Sequence, residues 1–164
     1  MPYLPTIADA VAALDQGNYA LASKLFGTIL QREPGNASVL HHLGWIASIL
    51  GDVSLAKTLL AHAVRLQPQN MDAHRQLAAL LLVTDQPREA LTHALTAAQL
   101  KDPSPVVADI AAKALHALGD RSNAQILLTQ SHDAEPAEAS ALIKRIGHSE
   151  PSEFLPALSR LQKS

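Results

Sequence analysis

The chain has 164 residues, of which 48% are hydrophobic and 3% aromatic, and its formal net charge is −2. The absence of cysteine excludes disulfides and thiolate metal sites, and the scattered basic residues argue against a nucleic-acid-binding surface. The longest apolar run, 77–83, is far shorter than the ~20 residues of a membrane-spanning helix. Residues 1–14 lack the positively charged start of a signal peptide, so we expect a cytoplasmic protein without membrane insertion.

Apolar residues recur at helical spacing through most of the chain, which indicates an all-α fold. Together with capping residues and prolines, the spacing predicts helices at 6–16, 19–32, 38–50, 53–66, 72–84, 87–100, 105–118 and 121–134. The turns inside the helix pairs are marked by a residue suited to the left-handed conformation, at Gly17, Gly51, Asp85 and Gly119. The residue after each of these is an expected N-cap: Asn18, Asp52, Gln86 and Asp120.

Small residues recur with a 34-residue period in two further positions, where we expect paired helices to cross closely. The second helices carry Ala22, Ala56, Ala90 and Ala124, and the first helices carry Ala10, Gly44, Ala78 and Ala112. Prolines follow the second helices at Pro34, Pro68 and Pro136, with Pro103 displaced by one residue.

One full period, 37–70, contains Leu40, Leu43, Gly44, Ala47, Ala56, Leu60, Ala63 and Pro68. This pattern resembles the tetratricopeptide repeat (TPR) family. The resemblance implies a right-handed α-solenoid of antiparallel helix pairs with a concave groove, in four repeats: 3–36, 37–70, 71–104 and 105–138. The family's common Trp position is occupied here by Thr6, Leu40, His74 and Ala108, and Asp9 replaces an expected Leu, so we expect an irregular first helix.

The periodic positions fail after residue 136. Segment 137–146 still has helical spacing, and Phe154, Leu155, Leu158 and Leu161 form a last amphipathic segment. We interpret 139–164 as capping or linker helices. The alternatives are a segment that docks on another copy or protein, or the start of a linker in a longer chain.

Candidate chemistry is sparse. Of the eight histidines, none pairs with another at i+3 or i+4, the spacing that a helical zinc site requires. The S-x-x-K match at Ser54 and Lys57 lacks its companion motifs. We therefore expect no metal, no cofactor and no enzymatic activity.

In the TPR family the groove is formed by particular positions of each first helix. The resemblance therefore implies a partner-binding groove made of Leu4, Ile7, Val11, Ser38, His41, Trp45, Asp72, Arg75, Ala79, Asp109, Lys113 and His116. Trp45 is the expected anchor, and the alternative is that it packs against a neighbouring first helix or the N-terminal segment. We expect Asp72 and Asp109 to offset Arg75 and Lys113. The positions by which one TPR subclass clamps acidic chaperone tails do not match here.

These observations favour a non-enzymatic adaptor that binds a peptide or helix of a partner protein. One alternative is a regulatory or substrate-recognition module of a larger enzyme, such as a protein-modifying transferase. Others are a self-associating scaffold, joined through its ends or its C-terminal helix, and a secretion chaperone.

Overall fold

The structure is a computed structural model that describes residues 4–102 and 104–130, together with 141, 143 and 145. Within these residues the fold is all-α, as predicted, and no strand occurs. The helices are α1 (Ile7–Asp15), α2 (Tyr19–Arg32), α3 (Ala37–Ile49), α4 (Val53–Leu66), α5 (Met71–Val83), α6 (Pro87–Gln99), α7 (Pro105–Ala117) and α8 (Arg121–Gln130). Within the described part of the chain, no helix is both long enough and apolar enough to cross a bilayer.

The turns inside the helix pairs use left-handed backbone at every predicted position. Gly17, Gly51 and Gly119 have φ of 71°, 84° and 90°, and Asp85 has φ of 55°. A side chain in this region is strained, and Asp tolerates it better than most residues. The prediction that Asp85 takes the place of a turn glycine is therefore confirmed.

Side-chain caps begin most of the helices. The Asn18 and Asp52 side chains accept from the backbone N–H of Leu21 at 3.1 Å and of Leu55 at 3.0 Å, and Asp120 accepts from Asn123 at 3.1 Å. Gln86 and Ser104 make no such cap bond, although a proline begins each of their helices. The predicted caps at Asn18, Asp52 and Asp120 are confirmed, and Gln86 occupies its predicted N-cap position without a side-chain cap bond.

Helix α1 is regular, contrary to expectation. Asp9 lies at its third position and completes a capping box: the Thr6 hydroxyl accepts from the Asp9 backbone N–H, and the Asp9 carboxylate accepts from the Thr6 N–H at 2.8 Å. This reciprocal pair satisfies two N–H groups that would otherwise lack partners. The expected irregularity was wrong because Asp9 caps the helix instead of filling a core position.

Helix α6 ends differently from α2 and α4. The residues after α2 and α4, Glu33 and Gln67, both have negative φ, at −131° and −133°, with ψ of 73° and 83°. After α6, Lys101 adopts φ of 64°, and the buried Asp102 side chain accepts from the Ser104 N–H at 2.9 Å. The one-residue displacement of the proline therefore coincides with a different turn.

The chain divides into two compact units, Met1–Leu80 and Leu81–Ser164. In the first unit, α1 packs on α2, α2 on α3 and α3 on α4. Its core includes Phe26, Val39, Ile46 and Leu60. Helices α3 and α4 approach closely at Gly44, where a Cβ would lie 2.7 Å from Leu60 Cγ and 3.3 Å from the Leu60 backbone nitrogen.

In the second unit, α6 packs on α7 and α7 on α8. Its core is rich in alanine, which allows helices to approach closely: the buried alanines are Ala90, Ala94, Ala97, Ala98, Ala108, Ala111, Ala112, Ala114 and Ala124. In the first unit, the predicted crossing positions Ala10, Ala22, Ala56 and Ala78 are also fully buried. The interpretation of segments 137–146 and 154–161 falls outside the described residues, apart from 141, 143 and 145.

Candidate protein-binding face

The candidate residues lie on the first helix of each pair. In the first unit, α1 carries Ile7 and Val11, α3 carries Ser38, His41 and Trp45, and α5 carries Asp72, Arg75 and Ala79, with Leu4 just ahead of α1. We call these nine residues the unit-1 face. Asp109, Lys113 and His116 lie on α7 in the second unit, where Lys113 and His116 are exposed.

Three apolar members of the unit-1 face pack on one core cluster. Ile7, Val11 and Trp45 are each partly buried against the cluster that contains Phe26 and Ile29. We call these three residues the α1–α3 strip. Because each side chain keeps part of its surface accessible, the strip is an apolar surface supported from below by a packed core.

Trp45 is held by a second aromatic ring. The Tyr19 ring at the start of α2 meets the indole edge-on, with centroids 6.3 Å apart and planes at 75°. Edge-to-face pairs of this kind add to the stabilisation from burial. Trp45 is therefore neither fully exposed nor enclosed: it packs on its neighbours and retains accessible surface.

The polar part of the face begins at His41, which is only 9% exposed. Its ring lies 5.0 Å from the His42 ring, and His42 stacks on Phe26 at 4.9 Å with planes 14° apart. Burial lowers the pKa of His41 to about 4, and the neighbouring His42 acts in the same direction. Burial also lowers the pKa of His42, so His41 and its neighbour are uncharged at neutral pH.

His41 faces α5, where Asp72 raises its pKa and Arg75 lowers it. The Gln76 side chain also raises this pKa, although His41 Nε2 and Gln76 Oε1 do not reach hydrogen-bond geometry with any group. Both atoms are buried from solvent. Uncharged polar groups of α3 and α5 therefore face each other at His41 and Gln76.

Both cations among the candidate residues are engaged by a carboxylate on their own helix. Arg75 pairs with Asp72 on α5, and Lys113 Nζ lies 2.7 Å from Asp109 Oδ2 on α7. The expectation that these aspartates offset the two cations is confirmed. Partly exposed pairs of this kind contribute little to stability, but they cancel charge on each helix.

Sequence reasoning missed the residues that support the face. Tyr19, Phe26 and Gln76 were not among the candidates, and they touch or face Trp45, His42 and His41 respectively. Tyr19 and Phe26 lie on a second helix, so a rule based on first-helix positions cannot find them. The one available signal was the scarcity of aromatic residues, since two of the few present meet here.

The described residues also include a structural histidine outside the face. His74, 7% exposed, lies on α5, and its Nε2 is 3.0 Å from the Pro68 carbonyl oxygen. It occupies the position where the family commonly has Trp, and it ties the turn after α4 to α5. Within the described residues, no group of three or more His, Cys, Asp or Glu could hold a metal ion.

No family model matches the chain. Among curated proteins, it is 34% identical over 92 residues to human tetratricopeptide repeat protein 7A, an alignment that covers 56% of this chain and 11% of that protein. The chain thus spans about a tenth of that relative's length.

Solved structures share the fold. A crystal structure of MamA is similar with a TM-score of 0.70 at 16% identity, covering 82% of this chain and 73% of that chain. A structure of a mutant O-GlcNAc transferase from Thermobaculum terrenum is similar with a TM-score of 0.62 at 28% identity, covering 67% of this chain and 21% of that chain. Together with the 34-residue spacing of the small residues, these likenesses show that the chain is similar to tetratricopeptide-repeat proteins and has the same all-α fold.

Proposed function

We propose that this chain is a non-enzymatic interaction module that holds a peptide or helix of a partner protein against the unit-1 face. The proposal includes the four repeats at 3–36, 37–70, 71–104 and 105–138, residues 139–164 as capping or linker helices, a cytoplasmic location, and a contribution from Asp109, Lys113 and His116. Its main support is Trp45, a partly accessible indole that meets the Tyr19 ring and packs on the same core cluster as Ile7 and Val11. Rigid aromatic anchors of this kind dominate many protein interfaces.

The experiment uses the full chain as bait in extracts of its native host, followed by affinity measurements with the purified captured partner. We expect Trp45→Ala and Arg75→Ala each to weaken binding, and Leu55→Ala to leave it unchanged. Leu55 is the matched control because it is 48% exposed but lies on α4, a second helix. If neither Trp45→Ala nor Arg75→Ala weakens binding while circular dichroism shows intact helices, the assignment of the face is wrong.

A second candidate function is substrate recognition within a larger enzyme. It is favoured by the partial coverage of the transferase structure, of which the chain matches 21%. Reading the coding sequence beyond Ser164 distinguishes the two. A catalytic domain encoded in frame supports the second function, and a stop codon at that point removes it.

A further inference from the structure

The second helices of the first unit are purely cationic. Helix α2 carries Lys24 and Arg32, α4 carries Lys57 and Arg65, and neither helix contains Asp or Glu. These cations are therefore not balanced by a carboxylate on their own helix, in contrast to the ion pair on α5.

Lys24 and Arg65 point away from α3, on which both second helices pack. Lys24 lies two residues before Phe26, whose ring stacks on His42 of α3, and residues two apart on a helix point about 200° apart. Arg65 lies five residues after Leu60, which approaches α3 closely, and this spacing corresponds to about 140°. Both cations are exposed, so they present positive charge to the solvent.

Arg32, at the end of α2, is exposed as well, and none of these three cations makes an ion pair with a residue that the structure describes. We call Lys24, Arg32 and Arg65 the second-helix basic surface. The acids that flank the two helices are engaged elsewhere: the Glu33 carboxylate accepts from a side-chain amide at 2.8 Å, and Asp52 caps α4 at 3.0 Å. The three cations are therefore available to carboxylates of a partner.

Exposed leucines accompany the charges. Leu21 on α2 and Leu55 on α4 are one 34-residue period apart, and both are exposed. Equal exposure at equivalent positions indicates that α2 and α4 turn the same side to the solvent. Leu21 also lies one turn before Lys24, so apolar and positively charged groups are neighbours on this side.

The chemistry of this surface favours an acidic protein segment over other polyanions. Basic segments that bind anionic lipid headgroups usually contain about 4–8 Lys or Arg residues, more than this surface has. Binding of single-stranded nucleic acid relies on aromatic rings that stack on bases. On α2, Phe26 is fully buried and Tyr19 meets Trp45, and α4 contains no aromatic residue. Arginine, in contrast, suits carboxylates because it can donate two parallel hydrogen bonds to one of them.

We propose that the second-helix basic surface is a docking site for an acidic segment of a partner protein, in which carboxylates alternate with apolar side chains. The carboxylates pair with Lys24, Arg32 and Arg65, and the apolar side chains contact Leu21 and Leu55. This site is separate from the unit-1 face and does not depend on the proposed function.

The test measures binding of the full chain to a blocked, fluorescently labelled peptide in which Asp and Glu alternate with Leu and Ala. A matched peptide has Asn and Gln in place of Asp and Glu. We expect the acidic peptide to bind about tenfold more tightly than the amide peptide, and to lose about tenfold in affinity between about 50 and about 500 mM NaCl. The emission of Trp45, the sole tryptophan, should not change, because it lies on the unit-1 face.

Two triple variants with the same change in net charge locate the binding. The surface variant combines Lys24→Gln, Arg32→Gln and Arg65→Gln, and should weaken the acidic peptide by about tenfold. The control removes three exposed cations of the second unit: Arg88→Gln, Lys101→Gln and Arg121→Gln. We expect the control to weaken binding by less than about twofold, with intact helices in both variants by circular dichroism.

Partial variants test whether the surface spans both helices. Lys24→Gln with Arg32→Gln on α2, and Arg65→Gln alone on α4, should each weaken the acidic peptide by about threefold. Loss of affinity from one helix only means that the two helices do not form one site.

Several other outcomes overturn the proposal. These are no binding of the acidic peptide, equal binding of the amide peptide, equal effects of the two triple variants, or a change in Trp45 emission that places the peptide on the unit-1 face. Phosphatidylserine vesicles and an oligothymidine serve as competitors. If either binds more tightly than the acidic peptide and loses affinity in the surface variant, the partner is a membrane or a nucleic acid and the assignment to an acidic protein segment is wrong.

Discussion

Replacing Gly44 by Ala tests how closely α3 and α4 approach. A Cβ at this position would lie 2.7 Å from Leu60 Cγ and 3.1 Å from Leu60 Cδ2, and also 3.3 Å from the Leu60 backbone nitrogen. Leu60 is fully buried, and Cγ is not the flexible end of its side chain. The added methyl group therefore requires the two helices to separate or Leu60 to leave its packed position.

Two opposing effects set the size of the change. Ala is a better helix former than Gly by about 1 kcal/mol, whereas overpacking a core costs about 1–3 kcal/mol. We therefore expect Gly44→Ala to lower the free energy of unfolding by roughly 0–2 kcal/mol. The matched control is Gly27→Ala in α2, where nothing lies within 4 Å of the added Cβ, and which should stabilise by roughly 0.5–1 kcal/mol.

Urea unfolding followed by circular dichroism measures both variants against the parent chain. The two should differ by roughly 1–3 kcal/mol, which corresponds to a midpoint separation of about 1 M for an ordinary dependence on urea. If Gly44→Ala stabilises as much as Gly27→Ala, the two helices are not in close contact at this point and the packing argument fails.

Three further predictions concern turns, caps and protonation. Asp85→Gly should raise the free energy of unfolding by about 0.5–1 kcal/mol, because Asp85 is strained at φ of 55°. Gly51→Ala, at φ of 84°, should lower the free energy of unfolding by about 1 kcal/mol. Urea midpoints that move the opposite way contradict this account. Asp52→Ala removes the cap on the Leu55 N–H and should cost about 1 kcal/mol in the same assay, whereas an unchanged midpoint means that the cap is dispensable. His41 should titrate near pH 4 by NMR, below the ordinary histidine pKa of 6.5. Between these two pH values the unfolded chain binds more protons than the folded chain, so the free energy of unfolding should fall by up to about 3 kcal/mol as the pH drops from 6.5 to 4. His41→Gln should flatten this pH dependence. A His41 midpoint near 6.5 refutes that burial.

The periodic positions predicted the turns well because backbone geometry at a turn is a local property. Asp85 shows this most clearly, since its position in the period outweighed its identity and it adopts the left-handed conformation of the turn glycines. The error at Asp9 arose from comparing one residue with a family pattern. The Thr6–Asp9 spacing is typical of a capping box and is the local signal for this cap.

The candidate face was less predictable. The pairing of Asp72 with Arg75 and of Asp109 with Lys113 follows from their spacing of three and four residues on one helix. The edge-on contact of Tyr19 with Trp45, and the opposition of His41 to Gln76, join residues on different helices. Such contacts depend on how neighbouring helices are rotated, which a repeat pattern alone does not specify.

The pairing of Arg75 and of Lys113 with a carboxylate one turn away on the same helix has an evolutionary consequence. Asp72 with Arg75, and Asp109 with Lys113, form electrostatically self-contained pairs. When a whole 34-residue period that carries such a pair is duplicated or deleted, neither charged residue is separated from its partner. Arrays of this kind can therefore lengthen or shorten by complete periods without first re-evolving their surface charges.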